Sequence, residues 1–213
     1  LPYTTLFRSS IGEITRGVAA FGGVRAEHVL KALHGEVGQL LKTGEVDGPI
    51  GTGEITAIED GLVTVRLKHD AEALAPWVDL ILAPPRPRVM KRLLPQLASL
   101  GVGRIVLVGA KKVEKDFWGA TLLKEEIYRP LLIDGLMQAG TTALPTISTV
   151  RSFRKWLRED LDREFSTSRR IVAHPYGADC RPDCAEKSGR LLLAVGPEGG
   201  WTDEEVALLE EKG

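Results

Sequence analysis

The spacing of hydrophobic residues divides the chain into two parts. Between residues 36 and 70, short segments alternate polar and apolar positions and are separated by Gly or Asp-Gly, as in strands joined by tight turns. From Val78 onward, short apolar runs alternate with segments whose apolar residues recur every three or four positions, which predicts buried strands followed by helices. We therefore expect a β-rich unit over residues 10–75 and an α/β unit with a parallel sheet over residues 76–213.

The individual elements follow from the same pattern. In the first unit, a short amphipathic helix is predicted at 25–33 and strands at 36–42, 51–60 and 62–70. In the second unit, strands are predicted at 78–83, 104–109, 144–148, 170–175 and 191–195. Helices are predicted at 84–101, 124–140, 150–160 and 202–213. Pro95 and Pro130 lie within two of these helices, and because proline lacks a backbone donor, we expect the helices to kink or end early there.

The most informative segment is LLLAVGPEGGWTDEEVALL at residues 191–209. An apolar run leads into a glycine-rich corner, and the corner leads into a helix. Thr202 and Glu205 have the spacing of a capping box, and Trp201 and Val206 have the spacing of a hydrophobic staple. The corner should therefore be fixed where the helix begins.

The corner itself, residues 196–200, predicts a ligand site. Its glycines at 196, 199 and 200 allow a positive φ and let another molecule approach the backbone, while Pro197 stiffens the turn. A fixed turn of this kind presents backbone N–H groups and a helix dipole to a ligand. The alternative is an ordinary tight turn. The segment does not follow the G-x-G-x-x-G pattern, which argues against a dinucleotide site.

Composition narrows the class of protein. The 213 residues are 43% hydrophobic, which is enough for a sizeable core, and no apolar run approaches the roughly 20 residues that span a bilayer. No signal peptide is visible, so we expect a cytoplasmic protein. Cys180 and Cys184 allow a disulfide, half of a metal site or two thiols. No second Cys/His pair completes a metal site, so we expect thiols and no metal.

The net charge of −1 hides an uneven distribution. Residues 84–170 carry 17 Lys and Arg against 9 Asp and Glu, whereas the segments on both sides are acidic. Within this basic region, one group of cations recurs at helical spacing and forms one face of a helix: Arg151, Arg154, Lys155 and Arg158. RNA phosphates are the predicted partners of this face, and a solvated surface is the alternative.

A second group of cations lies where a strand gives way to a helix: Arg86, Arg88, Lys91 and Arg92. Ligands gather at the carboxyl ends of strands in open α/β sheets. We therefore expect this group to contact RNA phosphates, more than the first group.

Several motifs together resemble those of a known family. They are EHVLKALHGE near the start, LASLGVGRIVLV, Gln138 with Leu-Pro at 144–145, AHP at 173–175, and VGPEGGWTDEE. On these residues the chain, from about Ile11 to Gly213, resembles the bacterial 16S ribosomal RNA uridine N3-methyltransferase family of the SPOUT, or trefoil-knot, superfamily. The last motif is quite specific, and the others support it.

The resemblance implies a PUA-like RNA-binding barrel over residues 10–75 and a SPOUT methyltransferase domain over residues 76–213, in a homodimer that acts on ribosomal RNA of the small ribosomal subunit. It also implies S-adenosylmethionine as cofactor. Two of the family's three cofactor loops match, and they assign cofactor binding to His174, Pro175, Val195, Gly196, Pro197, Glu198, Gly199 and Gly200. An arginine that commonly follows the position of Gln138 is replaced here by Ala-Gly-Thr-Thr.

The two ends of the sequence lead to two further predictions. Residues 1–9, LPYTTLFRS, resemble a translated sequencing adapter and match nothing that follows, so we place them outside the fold. The third cofactor loop of the family belongs to a threaded segment after the last helix. Because the sequence stops at Gly213, we expect the knotted C-terminal end to be missing and this chain to be inactive, whereas the extended natural protein is expected to be active.

Methyl transfer to uridine N3 depends on positioning and on loss of the weakly acidic N3 proton. Glu198 is the ionisable residue of the corner and serves either as general base or as acceptor for the cofactor or a backbone N–H. We favour the acceptor, because a carboxylate beside a helix N-terminus is a poor base, and the catalytic base is otherwise unassigned.

Three other functions are compatible with parts of this pattern. One is a non-catalytic RNA-binding protein of the same fold, and another is a SPOUT methyltransferase for a different nucleotide. The third is an α/β oxidoreductase or nucleotide-binding enzyme, against which the absence of G-x-G-x-x-G and of a P-loop argues.

Overall fold

The computed structural model describes residues 7–9, 14–15, 17–166, 169–175 and 189–212. The chain divides into two compact units, Leu1–Ala75 with Ile133–Leu144, and Pro76–Leu132 with Pro145–Gly213. Cys180 and Cys184 lie outside the described residues, as does most of the loop that contains them. In the described part of the chain, no helix is long and apolar enough to cross a membrane.

The first unit includes Ile133–Leu144, which the hydrophobic pattern places in the second unit. Hydrogen bonds to the turn between two strands hold this segment. The Asp47 N–H donates to the Thr142 carbonyl at 2.9 Å, and the Thr142 hydroxyl donates to the Gly48 carbonyl at 2.7 Å. The Leu144 N–H donates to Asp47 Oδ1 at 2.7 Å. Such pairings between residues almost a hundred positions apart leave no local signal in the sequence.

The first unit is built on a six-stranded sheet with the order β1-β4-β5-β6-β3-β2. The strands are β1 Phe7–Ser9, β2 Ile14–Thr15, β3 Val18–Phe21, β4 Leu40–Glu45, β5 Ile50–Glu59 and β6 Leu62–Ala71. The predicted helix is α1, Gly23–Glu27, which continues as a π-helical turn over His28–Ala32. The alternating segments bury one side of each strand, and their inward residues form a core with the helix.

Two expectations for this unit need correction. Among the described residues, the edge strands β1 and β2 do not pair with each other, so the predicted PUA-like barrel is an open sheet here. Phe7–Ser9 belongs to the residues placed outside the fold, yet it pairs in parallel with Thr43–Glu45 of β4. The predicted hairpin at Asp60-Gly61 is confirmed, because both residues have the positive φ that a tight hairpin turn requires.

The second unit contains the predicted parallel sheet, in the order β10-β11-β7-β8-β9. Its strands are β7 Val78–Leu82, β8 Val102–Val108, β9 Thr146–Val150, β10 Arg169–Ala173 and β11 Leu191–Val195. Every adjacent pair is parallel. The strand order reverses at β7, because β8 follows on one side and β11 lies on the other. Such a reversal places a crevice at the carboxyl ends of the strands.

Helices connect and follow these strands: α2 Pro87–Ser99, α3 Glu125–Ala139, α4 Phe153–Glu159, α5 Leu161–Glu164 and α6 Asp203–Glu210. Two 3₁₀ turns at Lys115–Gly119 and Thr121–Leu123 precede α3 and are not predicted by the sequence pattern. Helices α2 and α3 continue past Pro95 and Pro130, so neither ends early. In α2, burial of Met90, Leu94 and Leu97 along one face stabilises the helix despite the missing hydrogen bond.

A buried charge cluster ties the strands together near their amino ends. Asp79 of β7 is fully buried and accepts hydrogen bonds from the backbone N–H of Arg104 at 2.8 Å and from its guanidinium at 2.9 Å. Arg190, which precedes β11, donates from its guanidinium to Oδ1 of the same carboxylate at 2.6 Å. The cluster thus fixes β7, β8 and β11 relative to one another and leaves their carboxyl ends to form the site.

Candidate active site

The glycine-rich corner lies at the carboxyl end of β11, as predicted, and the capping box that follows it is present. The Glu205 N–H donates to Thr202 Oγ1 at 3.4 Å, and the Thr202 N–H donates back to Glu205 Oε2 at 2.9 Å. The carboxylate of Glu205 is 3% exposed. Its other oxygen, Oε1, accepts a hydrogen bond from the Lys111 N–H at 2.8 Å. Glu205 therefore joins the corner to the loop that follows β8.

Trp201 anchors the corner in the core of the second unit. Its ring stacks on Phe153 of α4 with centroids 5.3 Å apart, and both residues are buried. A Cβ atom on Gly196 would lie 3.1 Å from the Trp201 backbone nitrogen and 3.2 Å from its ring. Gly196 is therefore needed for the close approach of Trp201, and its φ is not positive.

The other two glycines have different roles. Gly200 has φ +69°, and a Cβ atom there would meet nothing within 4 Å, so its backbone borders open space. Gly199 does not have a positive φ, which corrects the expectation for that residue. Instead, the Lys112 side chain crosses Gly199 and donates from Nζ to its carbonyl at 2.7 Å. The sequence pattern gave no reason to select Lys112, because its position beside the corner depends on the order of the strands.

A cavity of about 490 Å³, here called the corner cavity, is lined by the corner and by the end of β10. The structure brings together around it all of the residues assigned to cofactor binding: His174, Pro175, Val195, Gly196, Pro197, Glu198, Gly199 and Gly200. Lys112, Trp201 and Asp203 also line it. Its walls combine apolar surface, exposed backbone and two carboxylates.

A second cavity, here called the side cavity, has a similar volume of about 490 Å³. Its walls come from the end of β7, the start of α2 and the loop after β8. They comprise Pro84, Pro85, Arg86, Val89, Lys112, Val113, Glu114, Phe117, Glu198 and Gly199. Lys112, Glu198 and Gly199 line both cavities. The two cavities are therefore adjacent, with Lys112 and the corner at the junction between them.

The predicted cation group at the start of α2 lies beside the side cavity. Arg86 lines this cavity and donates from Nε to Glu114 Oε1 at 3.0 Å. Arg88, Lys91 and Arg92 are exposed on the first half of α2 and form no ion pair with any described residue. Three cations of this group thus remain available to an anionic ligand.

Two cations of the other group, at the start of and within α4, have acidic partners. Arg154 pairs with Glu204 of α6, and Lys155 pairs with Glu159 at 3.8 Å. Arg151 lies over the Trp118 ring at 5.9 Å, while Arg158 is exposed. Phe153 and Trp156 of this helix lie in the hydrophobic core. The described residues contain no group of His, Cys, Asp and Glu that could hold a metal ion.

This unit therefore has the architecture of an α/β enzyme, with two adjacent cavities at the carboxyl ends of a parallel sheet. A family model described as RNA methyltransferase domain matches residues 73–213. Ribosomal RNA small subunit methyltransferase E of Treponema pallidum is 31% identical over 208 residues, which cover 94% of this chain and 78% of that protein. The chain belongs to the RNA methyltransferase family.

Solved structures share the fold. The crystal structure of a ribosomal RNA small subunit methyltransferase E from Neisseria gonorrhoeae, bound to S-adenosyl methionine, superposes with a TM-score of 0.72 at 20% identity, covering 98% of this chain and 86% of that chain. A Legionella pneumophila protein in complex with the bound cofactor SAM superposes with a TM-score of 0.71 at 22% identity, with the same coverage. Both comparisons show that the fold is shared.

Proposed function

We propose that the protein transfers a methyl group from S-adenosylmethionine to N3 of a uridine in small-subunit ribosomal RNA. The observation that carries this proposal is the corner cavity, around which the eight residues assigned to cofactor binding converge. The names of the relatives, which are ribosomal RNA small subunit methyltransferases, support the choice of substrate. The bound S-adenosyl methionine of the Neisseria gonorrhoeae protein supports the choice of cofactor.

The residues around the corner cavity fit this cofactor. The volume of about 490 Å³ lies within the range of small-molecule sites, roughly 300–1,000 Å³. The open space beside Gly200 lets a ligand reach the backbone. Pro175, Val195 and Trp201 provide apolar surface, while Glu198 and Asp203 bring negative charge. That charge suits a ligand with a positively charged sulfur.

When bound, S-adenosylmethionine supplies an electrophilic methyl group on a positively charged sulfur. The residues of the chain then have three roles in the reaction. The corner holds the cofactor in one geometry, since Trp201 and Glu205 fix both the start of α6 and the adjoining loop. The exposed cations of α2 hold RNA phosphates beside the site. Lys112 and Glu198, which line both cavities, would lie beside the reacting groups.

We further propose that Arg86, Arg88, Lys91 and Arg92 contact RNA phosphates, with Arg151, Arg154, Lys155 and Arg158 in a lesser role. The exposure and lack of ion pairs of Arg88, Lys91 and Arg92 support this ranking within the described residues. A PUA-like RNA-binding function of the first unit, a homodimer and a cytoplasmic location stay predictions of the family resemblance.

Methyl transfer to ribosomal subunits tests the proposal. The protein is incubated with methyl-labelled S-adenosylmethionine and with small subunits from cells that lack the modification, and the labelled nucleoside is identified by mass spectrometry. We expect one N3-methyluridine per subunit. Labelling of another nucleotide would identify a methyltransferase of different specificity, and RNA binding without label would support a non-catalytic RNA-binding protein.

A further inference from the structure

Part of the wall of the side cavity is apolar. Phe117 is 2% exposed and contributes part of its wall from the 3₁₀ turn at Lys115–Gly119. Pro84 and Pro85 follow β7, and Val89 projects from the start of α2. Aromatic and apolar side chains bind unstacked RNA bases by contact with the ring face.

The charged groups of the side cavity differ in whether they have an ion-pair partner. Arg86 and Glu114 neutralise each other at 3.0 Å. Lys112 has a hydrogen bond to a backbone carbonyl, at 2.7 Å, and no ion pair with a described residue. Glu198 is exposed and has no hydrogen bond or ion pair with any described residue. One cation and one carboxylate are therefore left at the junction with the corner cavity.

The chemistry of uridine N3 requires groups of these two kinds. N3 lies on the Watson–Crick edge, so the base must be unpaired and turned out when it reacts. The N3–H lies between two carbonyls, and as its proton leaves, negative charge spreads onto their oxygens. A positioned cation stabilises that charge, and a carboxylate accepts the proton.

We propose that the side cavity binds the target uracil and that Lys112 donates a hydrogen bond to one of the carbonyl oxygens beside N3. This role rests on the proposed function. The N3–H bond breaks and its proton passes to the Glu198 carboxylate. Glu198 then serves as the base and not as the acceptor for a backbone N–H that the sequence favours, since it accepts no hydrogen bond from a described residue. The N3 electron pair forms the bond to the methyl carbon, the bond between that carbon and sulfur breaks, and its electron pair stays on the sulfur. Lys112 is then a catalytic residue, because it touches the reacting base.

The hydrogen bond proposed for Lys112 also lets the site distinguish uracil from cytosine. A lysine ammonium donates hydrogen bonds and accepts none. Uracil has carbonyl acceptors on both sides of N3, whereas cytosine has an amino group on one side. A cation that faces the C4 oxygen of uracil favours uracil, because in cytosine the amino group at C4 is a donor and would leave the ammonium without an acceptor.

The test compares Lys112→Met with Lys112→Arg. Lys112→Met keeps most of the side-chain length and removes the charge, and we expect it to lower the methyl-transfer rate about 100-fold, as loss of an oxyanion donor does. Lys112→Arg keeps the charge and should restore part of the rate. Lys124→Met is the control, since Lys124 is an exposed lysine of the same unit that lines neither cavity, and its rate should match wild type.

Two further readouts separate this role from a structural one. We expect Lys112→Met to recover rate as the pH rises, because hydroxide then removes the N3 proton without help. In equilibrium titrations without cofactor, it should also lose the preference for a short RNA with uridine over the same RNA with cytidine at the target. The dissociation constant for S-adenosylmethionine should stay near that of wild type.

Two results would overturn the role of Lys112 while leaving the proposed function intact. One is an unchanged methyl-transfer rate in Lys112→Met. The other is a rate loss that weaker cofactor binding fully explains, with an unchanged pH profile, which would mean that Lys112 only supports Gly199. A wild-type protein that makes no N3-methyluridine would overturn both the proposed function and this role.

Discussion

At the scale of single residues, the local features of the site follow from the sequence and the long-range ones do not. The capping box of Thr202 and Glu205 is predicted from a spacing of three residues and is present. The link from Glu205 to Lys111 joins residues 94 positions apart, and no local pattern encodes it. The same holds for Lys112, which reaches Gly199 because β8 and β11 lie on either side of β7.

The buried carboxylate of Glu205 gives a prediction about stability. Glu205→Ala leaves the N–H groups of Thr202 and Lys111 without their acceptor, and we expect a loss of about 2–4 kcal/mol in the free energy of unfolding. The matched control is Glu204→Ala, which removes only a surface ion pair with Arg154 and should cost less than about 1 kcal/mol. Denaturant unfolding of both variants gives the comparison. Equal losses would contradict the joining role of Glu205.

The two glycines of the corner should respond differently to valine. Gly199→Val adds a side chain where the two cavities meet, and we expect at least tenfold weaker binding of S-adenosylmethionine with a nearly unchanged melting temperature, because φ is not positive there. Gly200→Val should also lower the stability by about 1–3 kcal/mol, since its φ of +69° strains a branched residue. Calorimetric titration and thermal unfolding measure both quantities. Normal cofactor affinity in Gly199→Val would mean that the corner is only a turn.

At the scale of elements, most strands and helices appear close to their predicted positions, because their hydrophobic periods are strong. Local geometry predicts that Pro95 and Pro130 kink or end α2 and α3, but both helices continue because packing outweighs the missing hydrogen bond. The two 3₁₀ turns before α3 carry no periodic pattern, yet one of them provides Phe117 to the side cavity. The spacing of Lys and Arg in the sequence predicts both basic faces. It does not show which of these cations have an acidic partner.

That difference between the two basic helices is testable by charge reversal. Arg88 of α2 has no acidic partner among the described residues, whereas Arg154 of α4 pairs with Glu204. We expect Arg88→Glu to weaken RNA binding and to reduce the slope of log affinity against log salt by about 1. Arg154→Glu should have a smaller effect, since its charge is already compensated. Salt titrations of RNA binding give both slopes, and unchanged slopes in both variants would remove these helices from the RNA contact surface.

At the scale of the whole molecule, the sequence predicted the class of the second unit but not its strand order. Alternation of strands and helices implies a parallel sheet, and the sheet is parallel. Which strands become neighbours is decided by packing over the whole unit. That order places the ends of β7, β8, β10 and β11 around the two cavities. The sequence therefore predicted the corner residues of the site, but not Lys112 and the other residues that the loop after β8 contributes. The open sheet of the first unit shows a similar limit, because alternation predicts strands but not closure.

The central claim is that the corner cavity holds the cofactor and the side cavity holds the base. A crystal structure of the protein with S-adenosylmethionine and a short RNA that contains the target uridine tests it most directly. We expect the cofactor against Val195–Gly200, the uracil ring against Phe117, and Lys112 Nζ within hydrogen-bond distance of a uracil oxygen. A cofactor bound away from the corner, or a base bound outside the side cavity, would contradict this account.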